Sequence, residues 1–203
     1  MPLVCDRITE SGRVGVWRID ETAGMLASML PEGEDRDFAL RTVSVRLRNE
    51  RLAVRVLLQE MTEGKAGGIA YDTDGRPSPV NGGFWISVSH TDGYAAVMVS
   101  DRRVGVDIEV RSPRALRLAP RFNADVSVCT DEVSATLCWS AKECVFKLLG
   151  DEVCDFRESM RVMPFVTGDS GRMEVGVGNG CFDRRIAVEY AVWPDFVLAW
   201  TSV

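Results

Sequence analysis

Apolar residues recur along the chain in two rhythms, and the change from one to the other marks its elements. Val14 to Ile19 alternates like a short strand, and Asp20 is placed to cap a helix reaching about Leu30, where Pro31 ends it. From Glu34 to Met61 the pattern is helical, with a break expected at the β-branched stretch Thr42 to Val45. Gly64 to Gly68 and Asp72 to Gly83 read as loops, punctuated by Gly75-Arg76-Pro77 and Asn81-Gly82-Gly83. Trp85 to His90 and Tyr94 to Ser100 read as strands about the turn Thr91-Asp92-Gly93. A strand from Val104 to Glu109 follows at once, so a three-stranded meander is expected.

The second half opens with a weak helix or loop over Ser112 to Ala124. Thr130 is the expected cap of a long helix to Leu149, with Gly150 placed to stop it. Strands are expected at Ser159 to Met163, Met173 to Val177, Cys181 to Tyr190 and Phe196 to Ser202, with Asn179-Gly180 as a hairpin turn. The halves look alike. Arg51-x-x-x-Arg55 followed by Val56-Leu57-Leu58 closes one long helix, and Glu143-x-x-x-Lys147 followed by Leu148-Leu149 closes the other. Paired apolar strands come after each. The expected class is α+β: two similar α/β subdomains related by pseudo-twofold symmetry, each a long helix packed on a small antiparallel sheet. The boundary is expected between residues 102 and 103.

Within Val104-Gly105-Val106-Asp107-Ile108-Glu109 the side chains of a strand alternate in direction. Val104, Val106 and Ile108 read as core. Gly105, Asp107 and Glu109 share the other face, with the glycine leaving room for something to approach. Two carboxylates that close repel unless water, a cation or a partner offsets them, and a hard divalent ion bound through oxygen uses such a pair well.

Composition narrows the field. The 203 residues suit one ordinary domain or two small ones, and 46% apolar with 27% charged residues marks a globular chain. No apolar run approaches a membrane span, and Met1 to Arg13 lacks the layout of a signal peptide, so a cytoplasmic protein is expected. The six cysteines (Cys5, Cys129, Cys138, Cys144, Cys154, Cys181) contain no Cys-x-x-Cys pair and read as small apolar residues of a reducing compartment. A net charge of −6 argues against a general nucleic-acid binder. Arg46, Arg48, Arg51 and Arg55, opposed only by Glu50, form a local cationic run. It reads either as a site for a phosphate or acidic partner or as an exposed arginine-rich helix face.

Trp139, Glu143 and Lys147 recur every four residues and share one stripe of their helix. Considered alone, Glu143 and Lys147 read most simply as a surface ion pair worth a few tenths of a kcal/mol. His90 is the only histidine. Ser89, His90 and Thr91 would leave the sheet together as donors for an anion, although a lone histidine is more often structural. Asp72-Thr73-Asp74-Gly75 reads as a turn, because its glycine comes too early for a calcium loop. Gly176-x-Gly178-x-Gly180 has no helix after it and is no dinucleotide fingerprint.

Taken in order, Gly75-Arg76-Pro77, Ser87-Val88-Ser89-His90-Thr91, Gly105-Val106-Asp107-Ile108-Glu109 and Trp139-Ser140-Ala141-Lys142-Glu143-x-x-x-Lys147 resemble the signatures of the 4′-phosphopantetheinyl transferases. The likeness is to the monomeric type that activates nonribosomal peptide synthetases, of the surfactin-synthetase-activating kind, and spans about Arg55 to Lys147. It implies transfer of the phosphopantetheine arm of coenzyme A to a serine of an apo acyl or peptidyl carrier protein, with release of adenosine 3′,5′-bisphosphate. It also implies Mg²⁺ (or Mn²⁺) held by Asp107, Glu109 and Glu143, and Lys147 paired with the pyrophosphate. Ser89, His90, Arg55 and Arg76 would meet coenzyme A phosphates, Arg76 standing where the family has lysine. Glu143, directly or by way of a water, is the first choice as base, and Asp107, Glu143 and Lys147 form the catalytic set. The interval from Glu109 to Trp139 is shorter than in better-known members, which puts carrier preference in doubt. The rival readings are another Mg²⁺-dependent phosphate-ester or pyrophosphate hydrolase and a non-catalytic binder of coenzyme A or carrier.

Overall fold

The structure, a computed structural model, describes residues 2–153, 155–178, 181–182 and 184–203. The expected Asn179-Gly180 turn and Cys154 lie outside the described residues. The chain divides into two compact units, one running to Val104 and including Val203, the other Gly105–Ser202.

The first unit opens with a hairpin of β1 (Leu3–Thr9) and β2 (Gly12–Arg18). Three helices follow: α1 (Ala23–Ser28), α2 (Glu34–Leu40) and α3 (Val45–Thr62). Then come a short ladder of β3 (Ile69–Tyr71) and β4 (Pro77–Pro79), and the hairpin β5 (Trp85–Thr91) and β6 (Tyr94–Ser100). The main sheet has the order β1-β2-β6-β5. α3 lays Leu52, Leu57 and Leu58 against Trp17, Ala95 and Val97 of the sheet in one core.

Several expectations shift here. β1 was not anticipated: only Cys5 of its residues is buried, so no alternation advertises it, and ladder bonds to β2 hold it. α1 is capped by Thr22, whose hydroxyl accepts from the Met25 N–H at 3.3 Å, and not by Asp20, which pairs with Arg18. The break at Thr42 to Val45 does occur, because Ser44 is extended and caps α3 by accepting from the Leu47 N–H. The stretch Asp72 to Gly83, read as a loop, carries β4, which pairs with β3 just before it; three-residue strands hardly signal themselves.

The second unit comprises β7 (Val104–Val110), α4 (Pro113–Phe122), α5 (Glu132–Leu149), β8 (Met160–Val162), β9 (Ser170–Val177), β10 (Arg184–Val192) and β11 (Phe196–Ser202). Its sheet order is β7-β11-β10-β9-β8. The expected meander of β5, β6 and β7 is thereby overturned: β6 already has β2 on one side and β5 on the other, so no edge is left for a third strand. α5 is capped by Asp131, one residue beyond the expected Thr130. Asp131 accepts from the Ser134 N–H at 2.7 Å while Ser134 Oγ accepts from the Asp131 N–H at 2.9 Å, a reciprocal box that satisfies two helix-end donors. Gly150 ends the helix as expected. Leu137, Ala141, Cys144, Val145 and Leu148 of α5 pack with Val175, Val188, Val197 and Ala199 of the sheet.

The α+β class and the antiparallel pairings thus hold, with an 18-residue helix in each unit. The two main sheets differ in strand number and order. Among the described residues, no helix is long and apolar enough to cross a membrane.

Candidate functional site

In the second unit, β7 presents Asp107 and Glu109 to α5. Gly105 explains how closely the two elements meet. A Cβ there would fall on the backbone carbonyl of Cys144, with the carbonyl carbon at 2.8 Å, so what approaches the glycine is the helix itself. That close approach sets the helical stripe over the carboxylates.

The stripe is bonded to β7 at both ends. Trp139 Nε1 donates to Glu109 Oε1 at 3.0 Å, and Lys147 Nζ donates to Asp107 Oδ1 at 2.8 Å and to the Val106 carbonyl at 2.9 Å. Glu143 lies on the stripe between them. The simple surface pair of Glu143 with Lys147 is therefore not what forms: Lys147 pairs across to the strand, and Glu143 and Lys147 are both half-buried. Asp107 is nearly sealed, with 5% side-chain exposure.

Electrostatics follow from this packing. Burial pushes the Glu143 carboxyl up, the Asp107 charge pushes it further, and Lys147 only partly opposes them. For Lys147, burial works downward, but the charge and hydrogen bond of Asp107 outweigh it and hold the amine above its ordinary range. The group has net negative charge in a partly desolvated place, which suits a cation.

The donor set fits a hard divalent ion, since Asp107, Glu109 and Glu143 offer only oxygen and Mg²⁺ takes one or two carboxylates beside substrate phosphates. Among the described residues no group of three or more His, Cys, Asp or Glu side chains is gathered closely enough to hold a metal. As it stands, Asp107 is drawn to Lys147 and Glu109 to Trp139.

Beside Glu109 opens a pocket of about 600 Å³, walled by Trp139, Phe122, Phe156 and Leu118, with Arg114 and Arg121 among its lining residues. The rings of Phe122 and Phe156 each lie 5.2 Å from that of Trp139. Lys142 fastens this wall. Its side chain is fully buried, and Nζ donates to the carbonyls of Phe122 (2.5 Å), Phe156 (3.0 Å) and Arg157 (3.4 Å). Burial lowers the amine to about 8. Its neighbourhood to Glu143 in sequence suggested nothing of this, because successive helical residues point about 100° apart.

The first unit holds the other expected residues. Ser89 is buried and His90 exposed at the end of β5, and Arg76 precedes β4, which packs beside β5. Asp72 Oδ1 accepts from the N–H groups of Asp74 and Arg76, which makes the 72–76 segment the turn expected. Arg55 points inward, donating to the Asp35 carboxylate (2.8 Å) and carbonyl (3.0 Å) while lying over Phe38. Arg51 bonds Thr42 at 2.9 Å and also covers Phe38. The four-arginine run is thus no single patch: Arg51 and Arg55 pin α2 to α3, while Arg46 is exposed and pairs with Glu50. Glu50 was passed over in the sequence as the lone opposing charge.

The family model described as the 4′-phosphopantetheinyl transferase superfamily matches residues 103–201, just under half of the chain. The match contains Asp107, Glu109, Trp139, Lys142, Glu143 and Lys147. No curated protein matches the chain.

Proposed function

We propose, taking that match as premise, that the chain transfers the 4′-phosphopantetheine arm of coenzyme A to a serine hydroxyl of an apo carrier protein, acyl or peptidyl. The observation that carries the reading is the meeting of Asp107 and Lys147 across β7 and α5 with Glu143 on the same stripe. These three belong to the two motifs that most specifically mark the family, and they are distant in sequence.

In this reading Asp107, Glu109 and Glu143 would hold Mg²⁺, which supplies neutralisation of charge on the pyrophosphate. On coenzyme A binding Lys147 would turn its ammonium from Asp107 to the pyrophosphate, and Asp107 would be among the residues that hold the ion. Glu143, directly or by way of a water, takes the proton of the serine hydroxyl. The serine oxygen bonds to the β-phosphorus, the phosphoanhydride bond on its far side breaks, and adenosine 3′,5′-bisphosphate departs with the bonding electrons. Trp139 fixes Glu109 from behind.

In the first unit His90, Ser89 and Arg76 bind phosphates of coenzyme A. Arg55 joins them only by giving up part of its bonding to Asp35. A monomer in the cytoplasm, where coenzyme A and apo carriers meet, completes the reading.

The test is mass spectrometry of several apo carriers incubated with the protein, coenzyme A and Mg²⁺. One added phosphopantetheine per carrier is expected, with loss of transfer in EDTA. Release of phosphopantetheine or phosphate without a carrier would assign a hydrolase instead, and binding of coenzyme A without turnover on any carrier would assign a binder.

A further inference from the structure

Glu50 is the one acidic residue inside the arginine-rich run of α3, and its side chain is only 2% exposed. A buried carboxylate persists only where it is paired. Its oxygens meet nitrogen groups from two elements. Oε2 lies 3.0 Å from Nδ1 of His90, at the end of β5, and Oε1 lies 3.4 Å from Nη1 of Arg46, one turn back on α3. Burial pushes the Glu50 carboxyl up, Arg46 draws it down, and Asp92 in the β5–β6 turn pushes it up again. The Arg46 guanidinium is 67% exposed, so water screens that contact and it contributes little. The short bond to His90 is the one that fixes a geometry.

We propose that Glu50 is a positioning residue for His90: it fixes the imidazole by its Nδ1 edge and so directs the Nε2 edge toward an anionic phosphate oxygen of the ligand. The inference deepens the coenzyme A reading and rests on it for the identity of that ligand. A carboxylate at Nδ1 requires a proton there, which makes Nδ1–H the tautomer of the neutral ring. When a phosphate oxygen arrives at Nε2, the ring takes a second proton from solvent and lies as an imidazolium between two anions. No bond between heavy atoms changes. Without Glu50 the ring loses the carboxylate that holds its Nδ1 edge, and affinity would fall.

Because His90 is the only histidine, imidazole ¹⁵N NMR of the chain without a polyhistidine tag reads this ring and no other. At alkaline pH, where the ring is neutral, the wild type should show the Nδ1–H tautomer. Glu50→Gln should keep it through the amide oxygen, Glu50→Ala should revert to a mixture rich in Nε2–H, and Arg46→Ala should leave it unchanged. By calorimetry with adenosine 3′,5′-bisphosphate, Glu50→Ala should weaken binding about tenfold, the value of one charge-assisted hydrogen bond. The same substitution should cost almost nothing more in a His90→Ala background, as expected of a residue acting through its partner. An Nε2–H tautomer in the wild type, or a full loss in the His90→Ala background, overturns the proposal. If the wild type shows the Nδ1–H tautomer yet binds no bisphosphate, the coenzyme A reading falls and the Glu50 anchor stands.

Discussion

Replacing Lys142 by Met tests how the pocket wall beside Glu109 is held. The ammonium is fully buried and donates to three carbonyls on two separate segments, Phe122 on one and Phe156 with Arg157 on the other. Methionine fills nearly the same volume and donates nothing. The Phe122 carbonyl bond is the buried one, and an orphaned buried carbonyl costs about 1–3 kcal/mol. The bonds to Phe156 and Arg157 are partly buried, so water recovers some of their loss. Against this, the substitution removes the penalty of burying a charge. At pH 7 we expect a net loss of about 2 kcal/mol by urea unfolding followed at matched m-values.

The pH dependence fixes the sign. Lys142 is lowered from 10.5 to about 8 in the folded chain. Between those values the unfolded chain binds the proton and the folded one does not, so wild-type stability gained from this group rises with pH. Lys142→Met lacks that rise, and titrations common to both proteins cancel in the difference. The gap should widen by about 2–3 kcal/mol by pH 10, at roughly 1.4 kcal/mol per unit. Hydrogen exchange should speed up in residues 120–125 and 155–158. A gap under about 0.5 kcal/mol at pH 7, or one that narrows as pH rises, would refute the view of Lys142 as a desolvated tether.

Other outcomes follow from the same geometry. Asp107→Asn should cut transfer at least about a hundredfold, while thermal unfolding stays cooperative and loses about 1–2 kcal/mol from the broken Lys147 pair, discounted because Lys147 reaches water; wild-type turnover would refute the catalytic assignment. Glu143→Gln should slow single-turnover transfer about 10²–10⁴-fold, the worth of a general base. It should leave stability at pH 7 equal or higher: a carboxyl raised by burial opposes folding above its unfolded pKa, and the amide lifts that cost. A fall in its melting temperature would count against the desolvated carboxylate. Gly105→Ala should cost more than about 3 kcal/mol, or prevent folding, because its Cβ meets the Cys144 backbone and not a side chain that could turn away; a melting temperature within a degree or two of wild type would show that β7 and α5 are farther apart than read.

Much of the candidate site's layout was legible in the chain because it is periodic. Strand alternation placed Gly105, Asp107 and Glu109 together, and the four-residue spacing placed Trp139, Glu143 and Lys147 together, since both repeats are fixed by backbone geometry. The helix break before Val45 and the stop at Gly150 were legible for a similar reason, each being decided by a few adjacent residues. What the chain could not decide was which elements face each other. β7 joins β11 and not β6 because ladder edges are filled by strands far away in sequence. Lys147 takes Asp107 over Glu143 because Gly105 lets a helix backbone reach the strand. Arg55, expected to meet a phosphate, bonds Asp35 in this structure, and Lys142 and Glu50, passed over as ordinary charges, are buried at junctions. A charge's role depends on its desolvation and its partners, and both arise only when distant segments pack.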